Sequence, residues 1–167
     1  MTIVPATPAD RPAIEALLDD AFGTDRHSRA AYRLREGNHC IAGLGFIIRD
    51  AASLCASIEF WPVALAYLAD GARTPALLLG PIAVAAAYRG KGLGDAIIRH
   101  GIAAAEALGW RLIILVGDKP YYQRFGFDNV MTLAWRMPGP VDQQRVLARV
   151  GPGAGLLPEA ADIVRPL

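Results

Sequence analysis

Apolar residues recur along this chain with two different periods, and those periods mark its elements. Ile14, Leu17, Leu18, Ala21 and Phe22 fall at i, i+3, i+4, i+7 and i+8, the stripe of an amphipathic helix. Thr7-Pro8-Ala9-Asp10 predicts its start, with Thr7 as cap, Pro8 in the first turn and Asp10 at the positive end of the dipole. Gly23 predicts its stop. A second, short helix is predicted over 28–35. It is polar on most sides and reads either as a solvated connector or as the border of a substrate site. Residues 39–48 and 53–61 read as two arms of a hairpin turning around 49–52, and residues 76–84 as a third, nearly all-apolar strand.

Leu112-Ile113-Ile114-Leu115-Val116 is apolar on both faces and is predicted to be buried on both. Before it, a helix over 92–108 carries Ile97, Gly101, Ala104 and Leu108 as one stripe and ends at Gly109. Strand, helix and strand over about 40 residues make a βαβ unit. A short helix over 120–125 precedes a strand near 130–136. Residues 142–150 suit a helix face at Val146 and Val150 and also allow a strand. The tail from Gly151 is rich in Gly, Pro and Ala and is predicted to be irregular. No repeat or linker interrupts the pattern. The reading is one α+β domain over 1–167, with a mixed central sheet flanked by helices.

One junction in this pattern carries chemistry. The third strand runs into Tyr88-Arg89-Gly90-Lys91-Gly92-Leu93-Gly94, which opens directly into the helix. Glycines there leave backbone N–H groups bare at the positive end of a helix dipole, where a phosphate fits. A P-loop needs G-x-x-x-x-G-K-[ST], but Ala85 stands at the first glycine and Gly92 at the magnesium-binding hydroxyl. A dinucleotide loop needs G-x-G-x-x-G and an acid after the next strand. The spacing here is G-x-G-x-G, and only Asp118 is acidic in that region.

Composition narrows the partners. The 167 residues are 53% hydrophobic and 20% charged with net charge +1, and Lys and Arg are spread along the chain. That excludes broad electrostatic capture of nucleic acid or of an anionic membrane. The first residues carry neither a basic n-region nor an apolar h-region, and no apolar run spans a bilayer, so a cytoplasmic protein is expected. The two cysteines, Cys40 and Cys55, lie on opposite hairpin arms, with Cys55 predicted to face Ile47. Cys40 is then about seven residues, or roughly 23 Å, away from that pair, too far for a disulfide. Two inert thiols are expected, and no metal site.

Arg89-Gly90-Lys91-Gly92-Leu93-Gly94 also matches every fixed position of the coenzyme A loop, [QR]-x-x-G-x-[GA]. Here the chain resembles the GNAT superfamily of acetyl-CoA-dependent N-acetyltransferases. Leu115-Val116-Gly117-Asp118-Lys119-Pro120-Tyr121-Tyr122-Gln123-Arg124-Phe125-Gly126-Phe127 is similar to the family's fifth-strand exit and short aromatic helix, at the family's spacing from the loop. The resemblance covers about residues 3–136 and makes 145–150 the last strand.

The resemblance implies acetyl-CoA as cosubstrate. The N–H groups of Gly90, Lys91, Gly92, Leu93 and Gly94 would cradle its pyrophosphate, with Arg89 and Lys91 adding charge. The backbone of Ile82, Ala83 and Val84 would pair with its pantetheine arm, and a strand N–H would polarise the thioester carbonyl. Tyr122 would be the general acid for the departing thiolate, because a phenol stays protonated at neutral pH. Tyr121, Phe125 and Phe127 read as core and cofactor-wall residues.

The base is less legible. Ala83-Val84-Ala85-Ala86-Ala87 ends the strand with no acid or His. Glu59, beside Phe60 and Trp61, is the best candidate, since apolar neighbours would tune it for the task; a surface-facing role is the competing reading. Asp118 reads as a cap for the following helix and His39 and His100 as bystanders. The implied acceptor is an amine on a small molecule or peptide, and a homodimer stays open. The competing function is a non-catalytic module that senses acyl-CoA.

Overall fold

The computed structural model describes residues 1–167. Its elements are β1 (Ile3–Pro5), α1 (Arg11–Phe22), α2 (Ala30–Arg33), β2 (Gly45–Asp50), β3 (Ser53–Tyr67), β4 (Arg73–Val84), α3 (Leu93–Ala107), β5 (Leu112–Val116), α4 (Lys119–Tyr122), β6 (Trp135–Arg136), β7 (Val146–Val150) and β8 (Ala161–Val164). No helix is long and apolar enough to cross a membrane.

The strands form one mixed sheet in the order β1-β2-β3-β4-β5-β7, with β8 pairing β3 and β6. Side-chain alternation divides its two faces. Leu77, Leu79, Ile113 and Leu115 face α3, packing with its Ile97, Ile98, Ile102 and Ala105. Ala76, Leu78, Leu112 and Ile114 face the other way, against Ala30, Leu34 and Trp135. On that second face α1 lays Ile14, Leu17 and Leu18 over Ile47 and Ala83. β5 is therefore covered on both sides, as its sequence predicts.

The helix start at Thr7 forms as a reciprocal cap: the Asp10 carboxylate accepts from the Thr7 backbone N–H at 2.7 Å. One turn of 3-10 helix over Pro8–Asp10 precedes α1. α3 turns Ile97 and Gly101 of the predicted stripe inward but continues that face through other residues than Ala104 and Leu108. Ile97, Ile98, Gly101, Ile102 and Ala105 are buried, whereas Leu108, one residue past the helix end, is 60% exposed.

Several other expectations are corrected. The tail is not irregular throughout: Ala161 and Ile163 are buried as β8 completes the far half of β3, beyond the reach of β2. β3 extends through Pro62 to Tyr67. The strand near 130–136 shrinks to Trp135–Arg136 after a run of turns. The strand that the resemblance implies at 145–150 forms over Val146–Val150, antiparallel to β5, but it is not the last, since β8 follows. Residues 39–44 form a loop, so His39 starts no strand. Ile47 pairs with Ser57 rather than Cys55: the hairpin turns at 51–52 between Asp50 and Ser53, and a bulge between Ile48 and Arg49 shifts the register by one more residue. Both thiols are free, and burial holds that of Cys40 up at about 11.

Candidate functional site: a forked sheet with two joined cavities

β4 and β5 run parallel but pair at only two positions, Leu77 with Ile113 and Leu78 with Ile114. Beyond them the strands diverge. A cavity of about 580 Å³ occupies the fork, walled by Leu79–Ile82 on one side and Leu115–Gly117 on the other. β4 thus carries backbone groups along the fork that no strand satisfies there, an edge to which an extended ligand can add.

At the end of β4 the chain makes its glycine turn. Gly90 and Gly92 adopt φ of +74° and +77°, values that disfavour any residue with a Cβ, and no protein atom lies within 4 Å of where a Cβ would be. The first bond inside α3 runs from the Ala96 N–H to the Gly92 carbonyl, so the N–H groups before it have no partner within the helix. Gly94 packs close: a Cβ there would lie 3.2 Å from the Tyr121 hydroxyl. Arg89 and Gly90 to Gly92 are exposed. Arg89 donates from Nε to the Val84 carbonyl at 3.3 Å, and Lys91 Nζ sits 4.9 Å from the centre of the Tyr88 ring. Of the β4 residues expected to meet an arm, Ile82 lines the fork cavity. The Ala83 side chain is buried against α1, and Val84 packs toward α3.

α4 brings Tyr121 and Tyr122 to the opposite wall. Tyr121 donates to Asp95 of α3 at 2.9 Å, and burial, helped by that carboxylate, pushes its phenol up to about 12. Tyr122 has no such partner. Its ring is held among Tyr121, Phe125 and Phe127 and sets one edge against Gly117, where a Cβ would meet Cε2 and, at 2.9 Å, Cδ2. Burial raises its pKa and the nearby Asp118 adds to the shift, so the hydroxyl keeps its proton well into alkaline solution. Asp118 stands at the N-cap of α4 but makes no capping bond. Its exposed carboxylate lies 3.3 Å from Arg145 on the cavity wall.

Glu59 is placed elsewhere. The register shift between Ile58 and Phe60 sets it opposite the Gly80-Pro81 step, where β4 bends. Phe60 turns toward α3, so Glu59 turns the other way, into a second cavity of about 220 Å³. Its surroundings are charged, not apolar as its sequence neighbours suggest. The buried carboxylate accepts from both Nη atoms of Arg11. Arg11 also binds Glu15, and the buried Arg26 binds Glu15 and Asp19 while donating to the Tyr32 hydroxyl at 2.6 Å. The two cavities share Tyr32, Arg35 and Pro81 as a common wall. The short helix region thus borders the site. Gly117 lay within the quoted aromatic motif, while Arg11, Arg26, Arg35 and Trp61 carried no local signal.

Such a fork, with a glycine turn at one end and two tyrosines on its wall, has the shape and the free backbone groups to receive an extended phosphate-bearing molecule. Residues 42–129 match the acetyltransferase (GNAT) domain family. The uncharacterized N-acetyltransferase YhbS of Escherichia coli K12 is 30% identical over 134 residues, 79% of this chain and 77% of that protein. The crystal structure of Escherichia coli YhbS in complex with CoA superimposes with a TM-score of 0.78 at 25% identity, covering 99% of this chain and 89% of that one. A GNAT family acetyltransferase from Brucella melitensis, in complex with acetyl-CoA, gives 0.58 at 26% identity over 92% and 96%. The chain belongs to the GNAT acetyltransferase family, and its mixed sheet is the GNAT fold.

Proposed function

We propose that this chain transfers the acetyl group of acetyl-CoA directly to an amine of a small molecule or peptide. Acetyl-CoA is the activated substrate: its thioester carbon–sulfur bond breaks as a carbon–nitrogen bond forms to the amine. The amine gives up one proton and the departing thiolate takes one. Gly90 to Gly94, with Arg89 and Lys91, hold the pyrophosphate at the α3 N-terminus. The β4 edge at Ile82 to Val84 receives the arm, which runs down the fork toward Tyr122. Structures of similar proteins in complex with CoA and acetyl-CoA support the choice of cosubstrate.

One observation carries the reading: Tyr122, whose hydroxyl has no hydrogen-bond partner, lines the fork cavity. It supplies the proton that the thiolate needs. Glu59 remains the candidate base, acting through water across the wall that the two cavities share. Thiol release from acetyl-CoA over an amine panel tests both roles. Tyr122→Phe should lower kcat by about 10²-fold or more, and Glu59→Gln should lower kcat by a similar factor, with CoA binding unchanged in calorimetry. Turnover unchanged in Tyr122→Phe at every pH would overturn the acid assignment. Calorimetric CoA binding with no turnover on any amine would identify a sensing module instead.

A further inference from the structure

The wall between the two cavities contains hydrogen-bond donors with nothing to donate to. Two of the four buried side-chain polar atoms without a partner belong to it, Arg35 Nε and Arg35 Nη1, and a third, Trp61 Nε1, lies beside it. Arg35 lies on both cavities and Trp61 on the smaller. The guanidinium is held in place from its faces, 4.5 Å from the Tyr32 ring centre and 5.9 Å from that of Trp61. Tyr32 is itself fixed by Arg26 through its hydroxyl. Arg35 Nη2 lies 3.4 Å from where Gly80 would carry a Cβ, so β4 has made room for it at its bend.

The neighbouring acids are already engaged. Glu59 and Glu15 bind Arg11, and Glu15 and Asp19 bind Arg26. Arg35 feels Glu59 through space, but no acid bonds to it. Burial consequently pulls its guanidinium down to about 10, still charged at neutral pH. A buried charged donor left without an acceptor is costly, by more than a neutral one. The planar fork of an arginine matches the two oxygens of a carboxylate. A dianionic phosphate fits worse, because Glu15, Glu36 and Glu59 line the same cavity.

Resting on the acetyl-transfer reading above, we propose that the acceptor is an amine that also bears a carboxylate, seated on Arg35 with the Trp61 N–H beside it. The carboxylate anchors in the smaller cavity, and the amine reaches past Pro81 into the fork, toward Tyr122. Specificity would then come from the acceptor side, independently of the glycine loop.

The test compares amino acids with the amines that lack only the carboxylate: phenylalanine with phenethylamine, lysine with cadaverine, ε-aminocaproate with pentylamine. In wild type, kcat/KM should favour the carboxylate partner of at least one pair by about tenfold to hundredfold, the range of a charged hydrogen bond. Arg35→Met should collapse that ratio toward one. Arg35→Lys, which keeps the charge and loses the fork, should leave an intermediate ratio. Thermal melts report whether each variant folds; removing an unpaired buried charge should not lower the melting temperature.

Calorimetric titration of the same compounds separates the two readings. If no amine is acetylated yet a carboxylate compound binds wild type and not Arg35→Met, the anion site stands and the transfer reading falls. Equal turnover and equal binding within every pair overturns the proposal, as does a preference that survives in Arg35→Met.

Discussion

Gly117→Ala tests the seat of the proposed acid without touching the acid itself. Gly117 has no positive φ, so the substitution adds a methyl group at no backbone cost. That methyl would lie 2.9 Å from Tyr122 Cδ2 and 3.1 Å from Leu115 Cδ1. Tyr122 Cε2 would be nearer still. Carbon contacts settle near 3.5–4.0 Å, so the ring must withdraw by roughly 1–1.5 Å. It cannot slide sideways, being penned by Tyr121 at 4.9 Å and Phe127 at 6.1 Å between ring centres. It must pivot, and its hydroxyl swings within the fork. A displacement of about 1 Å at a reacting group costs up to about 10²-fold in rate, and overpacking costs about 1–3 kcal/mol of stability. The assay is thiol release at saturating acetyl-CoA, paired with a thermal melt. In the Tyr122→Phe background the same methyl should cost almost nothing further in kcat, since the hydroxyl is already gone. A lowered melting temperature with wild-type kcat would refute the claim that this ring position serves catalysis. Fully additive losses would show that Gly117 acts by another route.

Gly101→Ala should destabilise the fold although alanine is the better helix former. The gain of about 1 kcal/mol in helix propensity is outweighed by overpacking of about 1–3 kcal/mol, because the new Cβ would meet the buried Phe60 ring at 2.6 and 2.8 Å. Urea unfolding checks the sign, and a more stable variant would show that Phe60 yields freely. Asp10 should shape the acid limb of stability. Its hydrogen bond from Arg49, with those from Thr7, holds its carboxyl down at about 2, against 3.8 ordinarily. A depressed carboxyl stabilises above the unfolded value and loses that contribution as pH falls through the folded one. About 1 kcal/mol, discounted for nearby solvent, should therefore disappear between about pH 4 and 2. Asp10→Asn should lose it at neutral pH and converge with wild type near pH 2 in denaturant titrations.

The elements most legible in the sequence are those whose pattern is local. The α1 stripe, the all-apolar β5 and the glycine turn into α3 each declare themselves within a dozen residues, and each stands where expected. The misreadings have long-range causes. Ala161-Asp162-Ile163-Val164 is four residues in a Gly- and Pro-rich tail, and becomes a strand only because β3 outruns β2 and leaves an edge to fill. The strand predicted to end at residue 61 continues through Pro62 to Tyr67. Leu108 keeps the predicted helical spacing but falls one residue beyond α3, where nothing covers it.

The two halves of the site differ in legibility for the same reason. Holding a pyrophosphate is backbone work, and backbone work is written as glycines at fixed spacing before a helix. Positioning an acceptor is side-chain work, done by residues that meet only through the sheet. Arg11 from α1, Arg35 from beyond α2, Glu59 and Trp61 from β3 and Pro81 from β4 come together at one bend. Glu59 shows why proximity in sequence misleads there. Beside it along the strand is Phe60, but a strand sends consecutive side chains to opposite faces, so Phe60 packs on Gly101 and Glu59 meets Arg11. The apolar setting inferred from its neighbours belongs to the other side of the sheet. A donor site can therefore be announced by a loop, whereas the proposed acceptor site turns on which charge the sheet's second face leaves unpaired. On this chain that charge is Arg35.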